Sequence, residues 1–293
     1  MKPIVLNENQ IEEIRRLASE VRSELTIDES TPIGNDIFFI LERLDINLLE
    51  YPIKSDNDRP AFSAAIMHIE EEDSQLTFLG LNTADYADKQ IFAIAHELYH
   101  FYTKTGSHIS WLNEDENNLI EAKANRFAAE LLLPQMVLQK IVDSEFNQAY
   151  FTSVHSKSIF RFIIRLHCTY WLPYRSIVRR LYEINMITHS LLEELYSINE
   201  RDFSGEYGRI GLAMYKETFQ HLNTKTLNIG TSAKLFDMII RNYDNNLINE
   251  DQLAETLDLF DRHPTEFGYD IEIPSENMDE IVEYFGSFDD YES

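Results

Sequence analysis

Apolar positions recur at helical intervals from the start of the chain. Ile11, Ile14, Leu17 or Ala18, and Val21 follow Asn7 and Gln10, whose spacing is that of a capping box with Asn in place of Ser or Thr. A second helix is expected over 36–44. Three strand-like runs follow at 46–51, 62–69 and 76–83, punctuated by Pro52, Pro60 and an acidic cluster at 70–73. The run at 76–83 suits either an edge strand, to which an extended peptide could add, or an interior one. The pattern then turns helical. One helix is expected from about 86 to 104, with Gly106 as its stop, and another from about 114 to 133, ended by Pro134. Helical spacing continues at about 158–167, 174–185, 190–198, 208–222, 232–242, 250–261 and 275–285. The class expected is α+β: a mixed first part with a small sheet, then an all-α region. The division is placed near residue 190, giving 1–190 and an acidic helical region at 191–293.

Composition narrows the setting. The chain has 293 residues, 44% of them hydrophobic, enough for a sizeable core. Nine Gly and eight Pro are too few for a low-complexity chain. Its single cysteine, Cys168, excludes an internal disulfide and is expected to be a core residue in a cytoplasmic protein. No signal peptide and no membrane-spanning run are evident. The formal charge is −26, which opposes non-specific binding to nucleic acid or anionic lipid and favours basic partners.

The charge is uneven. Residues 155–187 carry six basic residues against Glu183, a net of +5, which leaves −31 for the rest. This stretch reads as helix, turn, helix. Contact with nucleic acid through Arg175, Ser176, Arg179 and Arg180 is one reading. The other, favoured by the surrounding negative field, is a structural helical pair whose arginines bridge to neighbouring acids. From residue 270 to the end there are nine acids and no base, which suits a solvated tail or a docking surface for a basic partner.

The chemistry concentrates at Ala95-His-Glu-Leu-Tyr-His100, which contains His-Glu-x-x-His. On a helix, positions i and i+4 share a face, so His96 and His100 can converge on one Zn2+ ion. Glu97 then sits beside the open coordination position, where it can take a proton from water. The alternative is two ordinary helix histidines. The helix is apolar on more than one side, through Ile91, Phe92, Ala95, Leu98 and Tyr102, so it is expected to be buried, and buried polar groups need partners. A third His six residues after the second is excluded, because Gly106 stands there. A glutamate from the next helix is the other option. Glu121 shares a face with Ala124, Asn125, Ala128 and Leu132, with Glu114, Glu116 and Glu130 as rivals. Asn125, one turn on, could accept the free ring N–H of a ligand histidine. Tyr99 and Tyr102 are weak candidates to stabilise an oxyanion.

Two stretches carry a family resemblance: Ile91-Phe-Ala-Ile-Ala-His-Glu-Leu-Tyr-His100 and Glu121-x-x-Ala-Asn-x-Phe-Ala-Ala-Glu-Leu-Leu-x-Pro134. Together they resemble the ImmA/IrrE family of zinc metallopeptidases, over about 30–190. The resemblance implies a minimal zincin fold with zinc on His96, His100 and Glu121, and Glu97 as catalytic base. It also implies a helix-turn-helix-like segment after the core, matching 155–187, and specific cleavage of a DNA-binding repressor or antitoxin-like partner. A fused repressor domain is not expected, so the substrate would be a separate protein. A non-proteolytic binding module and a DNA-binding regulator are the alternatives. The chain departs from the family at Tyr99, where Gly is common, and at Lys104, where a third His is frequent. Neither position is a ligand, so the departures bear on substrate preference.

Overall fold

A computed structural model describes residues 4–54, 62–71, 74–105, 114–146 and 155–270. The chain divides into two compact units, Met1–Ile229 and Gly230–Ser293, with the break later than the change of pattern near 190.

In the first unit, α1 (Glu8–Glu24) starts at the expected capping box. The Asn7 side chain accepts from Gln10 N–H and the Gln10 side chain accepts from Asn7 N–H, both at 2.9 Å. Ile14, Ala18 and Val21 form its buried stripe. A short 3-10 turn leads into α2 (Ile37–Arg43), and then come β1 (Ile46–Tyr51), β2 (Ala64–Glu71) and β3 (Ser74–Asn82). The strands lie in the order β2-β3-β1. β2 and β3 form an antiparallel hairpin, with Ile66 opposite Leu79. β1 and β3 run parallel, with Leu48 opposite Leu79. β3 is therefore the interior strand, which resolves the alternative left open above, and β2 takes the edge. On one face of the sheet Leu48, Ile66 and Leu79 form a buried row.

The helix α3 (Ala87–Thr103) packs on β2 and β3 and against α4 (Glu114–Leu132). Ile94, Ala95 and Leu98 meet Ala124, Phe127, Ala128 and Leu131 in one buried core. Small residues on both helices allow the close approach. α3 ends where the pattern expected, within a residue of 104. Lys104 takes the left-handed conformation, φ 53°, and its N–H bonds back to His100 C=O. After Pro134 the chain forms α5 (Gln135–Phe146), a helix the apolar spacing did not reveal, with Val137, Leu138 and Val142 buried.

The helical pair expected within 155–187 is present as α6 (Ser156–Tyr170) and α7 (Tyr174–Glu183), turned at Trp171 with φ 54°. α8 (His189–Tyr196) and α9 (Glu206–Leu222) complete this unit, and α9 breaks its helical geometry at Tyr215. Cys168 is buried, and burial pushes its thiol up to about 12, so it packs as a core residue.

The second unit contains the two-residue strand β4 (Gly230–Thr231), α10 (Ala233–Asp244), α11 (Glu250–Asp258) and a 3-10 turn at Pro264–Phe267. Phe236 packs its ring on Phe260 and Phe267. The helix expected at 275–285, most of the acidic tail and the Gly106 stop lie outside the described residues. Among the described residues no helix is long and apolar enough to cross a membrane.

Candidate metal centre

The start of α3 is held by charge. Asp88 is fully buried in its first turn, and Arg201 Nη2 reaches both carboxylate oxygens at 2.9 Å. The other guanidinium nitrogen of Arg201 donates to Leu222 C=O at 3.2 Å and Asn223 Oδ1 at 2.8 Å, and the group lies 4.2 Å above the Tyr86 ring. Backbone bonds tie the same end to the 224–228 segment: Ala87 N–H to Thr224 C=O, and Leu227 N–H to Thr83 C=O. The helix so anchored carries His96 and His100 one turn apart, with His100 buried and His96 partly open.

Their Nε2 atoms stand 3.2 Å apart. Glu121 on α4 brings Oε2 to 3.1 Å from His96 Nε2 and Oε1 to 3.6 Å from His100 Nε2. Two ligands each ~2.0–2.1 Å from a tetrahedral zinc stand about 3.4 Å apart. The Nε2–Nε2 separation is close to that spacing, and one ligand atom from each of the three residues lies within 4.8 Å of the others. Nitrogen and oxygen donors in this count suit zinc. The rival Glu130 lies elsewhere, bonded to Arg180 and Gln135 N–H. The side chains of Glu114 and Glu116 are outside those described.

The outer ring nitrogens are also engaged. His96 Nδ1 lies 3.2 Å from Asn125 Oδ1, where sequence reasoning had placed a partner. His100 Nδ1 lies 3.1 Å from Thr105 Oγ1, a contact sequence reasoning missed. No residue pattern announces Thr105, because it reaches back only through the left-handed turn at Lys104.

Glu97 is buried beside these ligands, and its Oε2 accepts the Ile66 N–H of β2 at 3.0 Å. Burial raises its carboxyl to about 7, against the opposing pull of His96 and of the Ile66 N–H. Burial pulls His96 down, but the Glu121 hydrogen bond and the charges of Glu97 and Glu121 outweigh it and hold His96 above its ordinary value. Burial and the neighbouring His96 lower His100. Glu121 is lowered chiefly by its hydrogen bond with His96. Tyr99 lodges between the rings of His100 and Phe127, and Tyr102 points its hydroxyl to Glu24 on α1, so Tyr102 is removed as an oxyanion partner.

The arginines considered for nucleic acid are engaged elsewhere. Arg180 is only 2% exposed, paired with Glu130 at 2.6 Å and donating to Leu133 C=O at 3.0 Å, so it cannot reach a phosphate. Arg179 pairs with Glu183 at 3.2 Å and Arg175 with Glu200 at 3.5 Å. Ser176 is half-buried.

Residues 41–150 match the model of Peptidase_M78, described as the IrrE N-terminal-like domain. The match is shorter at both ends than the resemblance read from the motifs. It contains all four residues His96, Glu97, His100 and Glu121. A solved structure described as a Mycobacterium tuberculosis transcriptional regulator is similar at 15% identity and a TM-score of 0.37. The similarity covers 59% of this chain and 47% of that one, so the chain spans about half the length of that structure. No curated protein matches.

Proposed function

We propose that the chain is a zinc-dependent endopeptidase cleaving a specific partner protein, a basic DNA-binding regulator of the repressor or antitoxin kind. The observation that carries the reading is the meeting of ligand atoms from two histidines and one carboxylate within 4.8 Å of one another, next to a buried glutamate. His96, His100 and Glu121 would hold the metal. Zinc bound there supplies Lewis acidity, acidifying a water and polarising a peptide carbonyl.

The chain's own residues do the rest. Glu97 accepts a proton from the attacking water and returns it to the leaving amine. A cation at the three ligands lowers the Glu97 carboxyl below its metal-free value of about 7, so that the accepting form dominates at neutral pH. The Ile66 N–H fixes one carboxylate oxygen, which restrains the rotation of the base. Ile66 turns this N–H away from β3, so the edge of β2 offers backbone groups to an extended peptide beside Glu97. The acidic body favours encounter with a basic substrate.

The test combines metal analysis with cleavage of basic regulators encoded beside the gene. Wild type is expected to hold about one equivalent of zinc, as a three-ligand site does. Glu121→Ala loses it. Glu97→Gln keeps it while cleavage falls by roughly 10²–10⁴. Zinc retained with unchanged affinity in Glu121→Ala would refute the ligand set. Undiminished cleavage by Glu97→Gln would refute the role of the base.

A further inference from the structure

At the end of α3, two threonine hydroxyls, Thr103 in the last turn and Thr105 beyond it, form a chain from His100 back to the helix backbone. Thr103 Oγ1 lies 2.7 Å from Tyr99 C=O, Thr103 Oγ1 lies 2.8 Å from Thr105 Oγ1, and Thr105 Oγ1 lies 3.1 Å from His100 Nδ1. The proton positions along this chain follow from one end. A carbonyl oxygen only accepts, so Thr103 spends its single hydroxyl hydrogen on Tyr99. At the contact between the threonines, Thr103 must therefore accept and Thr105 must donate. With its own hydrogen used, Thr105 accepts at the last contact, so the hydrogen there sits on His100 Nδ1. A neutral imidazole protonated at Nδ1 carries a bare lone pair on Nε2, the atom that faces His96 and Glu121.

We propose that Thr103 and Thr105 are positioning residues that fix His100 in its metal-binding tautomer, anchored on the Tyr99 carbonyl. This rests on the metal-centre reading above. The backbone supports it: Lys104 holds a left-handed conformation that L-residues rarely adopt, and Thr105 follows directly, its Oγ1 3.1 Å from His100 Nδ1. His100 is 3% exposed, so water has little access to replace a missing partner. The arrangement differs from that at His96. An asparagine carries a donor and an acceptor on one amide and can present either after a flip, whereas the hydroxyl chain ends on a group that cannot donate.

Two measurements test it. In the metal-free protein, at a pH where His100 is neutral, long-range ¹H–¹⁵N correlations report which ring nitrogen carries hydrogen. Wild type is expected to show His100 protonated at Nδ1, and Thr105→Val and Thr103→Val to show a mixture or the Nε2–H form. In the second measurement, zinc affinity falls about 10–100-fold in Thr105→Val, the usual cost of losing a partner that orients a ligand. Thr105→Ser stays near wild type. A packing role predicts the opposite order, because Val fills the space of Thr and Ser does not. Wild-type His100 protonated at Nε2, or zinc affinity unchanged in Thr105→Val, would overturn the proposal. Zinc binding that is absent in wild type, or undiminished in Glu121→Ala, would overturn the metal reading instead, and the tautomer measurement would still decide the hydroxyl chain.

Discussion

Replacing Asp88 with Asn keeps the shape of the side chain and removes its charge. Arg201 then stays behind, 12% exposed at its side chain, with a neutral amide where both of its 2.9 Å carboxylate bonds had been. Two unit charges ~4 Å apart attract by about 4 kcal/mol at an effective dielectric near 20. Breaking a buried pair by removing one partner costs about 3–5 kcal/mol, because the remaining charge is uncompensated. Arg201 keeps Leu222 C=O, Asn223 Oδ1 and the Tyr86 ring, which places the expected loss at the low end, about 3 kcal/mol. For a unit of this size that lowers Tm by roughly 6–12 °C. The assay is thermal and urea unfolding of wild type, Asp88→Asn, Arg201→Met and the double variant, read by circular dichroism. The two single losses should exceed the double by about 1–3 kcal/mol, the coupling range for residues in direct contact. A loss under about 1 kcal/mol for Asp88→Asn, or strictly additive losses, would show that the pair does not hold the start of α3.

Three further outcomes follow from the geometry. Gly208→Ala should gain about 1 kcal/mol of helix propensity, but its Cβ would stand 2.2 Å from Asp202 C=O, and backbone yields poorly, so a net loss of about 1–3 kcal/mol is expected in urea unfolding; a stabilised variant would contradict that packing. His167 is buried and its pKa is lowered first by burial, against the pull of Asp88 and the Leu172 carbonyl. The unfolded chain therefore binds a proton that the folded one resists, so stability is full above about 6.5 and falls as pH drops below it; His167→Gln should flatten the slope in that range, and an unchanged slope would exclude His167 as its source. Zinc at ~100 times its dissociation constant should raise stability by about 2.7 kcal/mol, visible as a higher Tm that a chelator reverses; a Tm indifferent to zinc and chelator would argue against a site formed only in the folded chain.

The parts of this molecule legible in the sequence are those fixed by short-range periodicity. The capping box at Asn7, the three strands and the one-turn spacing of His96 and His100 depend on neighbours within a few residues, and the face shared by Glu121 and Asn125 is of the same kind. The choice of Glu121 over its rivals also leaned on the family resemblance. What escaped is set by distant partners. That the arginines of 155–187 bridge to acids is the reading favoured from sequence, but the burial of Arg180 is not foreseen: charged residues are mostly exposed, and Glu130 and the Leu133 carbonyl, about fifty residues away in sequence, hold it inside. The end of α3 near 104 is legible, but not that the lysine there takes a left-handed conformation usually reserved for glycine. The place of β3 inside the sheet depends on its parallel pairing with β1, which no local pattern encodes.

The anchoring of α3 has a consequence for the order in which the chain is made. The partners of its first turn lie far downstream: Arg201 for Asp88, Thr224 for Ala87 N–H, and Thr226 for the Gln90 side chain. At ~5–20 residues per second, a ribosome needs roughly 7–28 s to add the ~140 residues that separate Asp88 from the end of that segment. Until then the histidine helix can form but cannot seat its own beginning, and the segment that matches the family at 41–150 is a centre waiting for its foundation. A nascent or truncated chain ending near 190 would carry every candidate ligand and still leave Asp88 without its counterion. Seating of the helix that carries the candidate ligands is thereby tied to synthesis through the 224–228 segment.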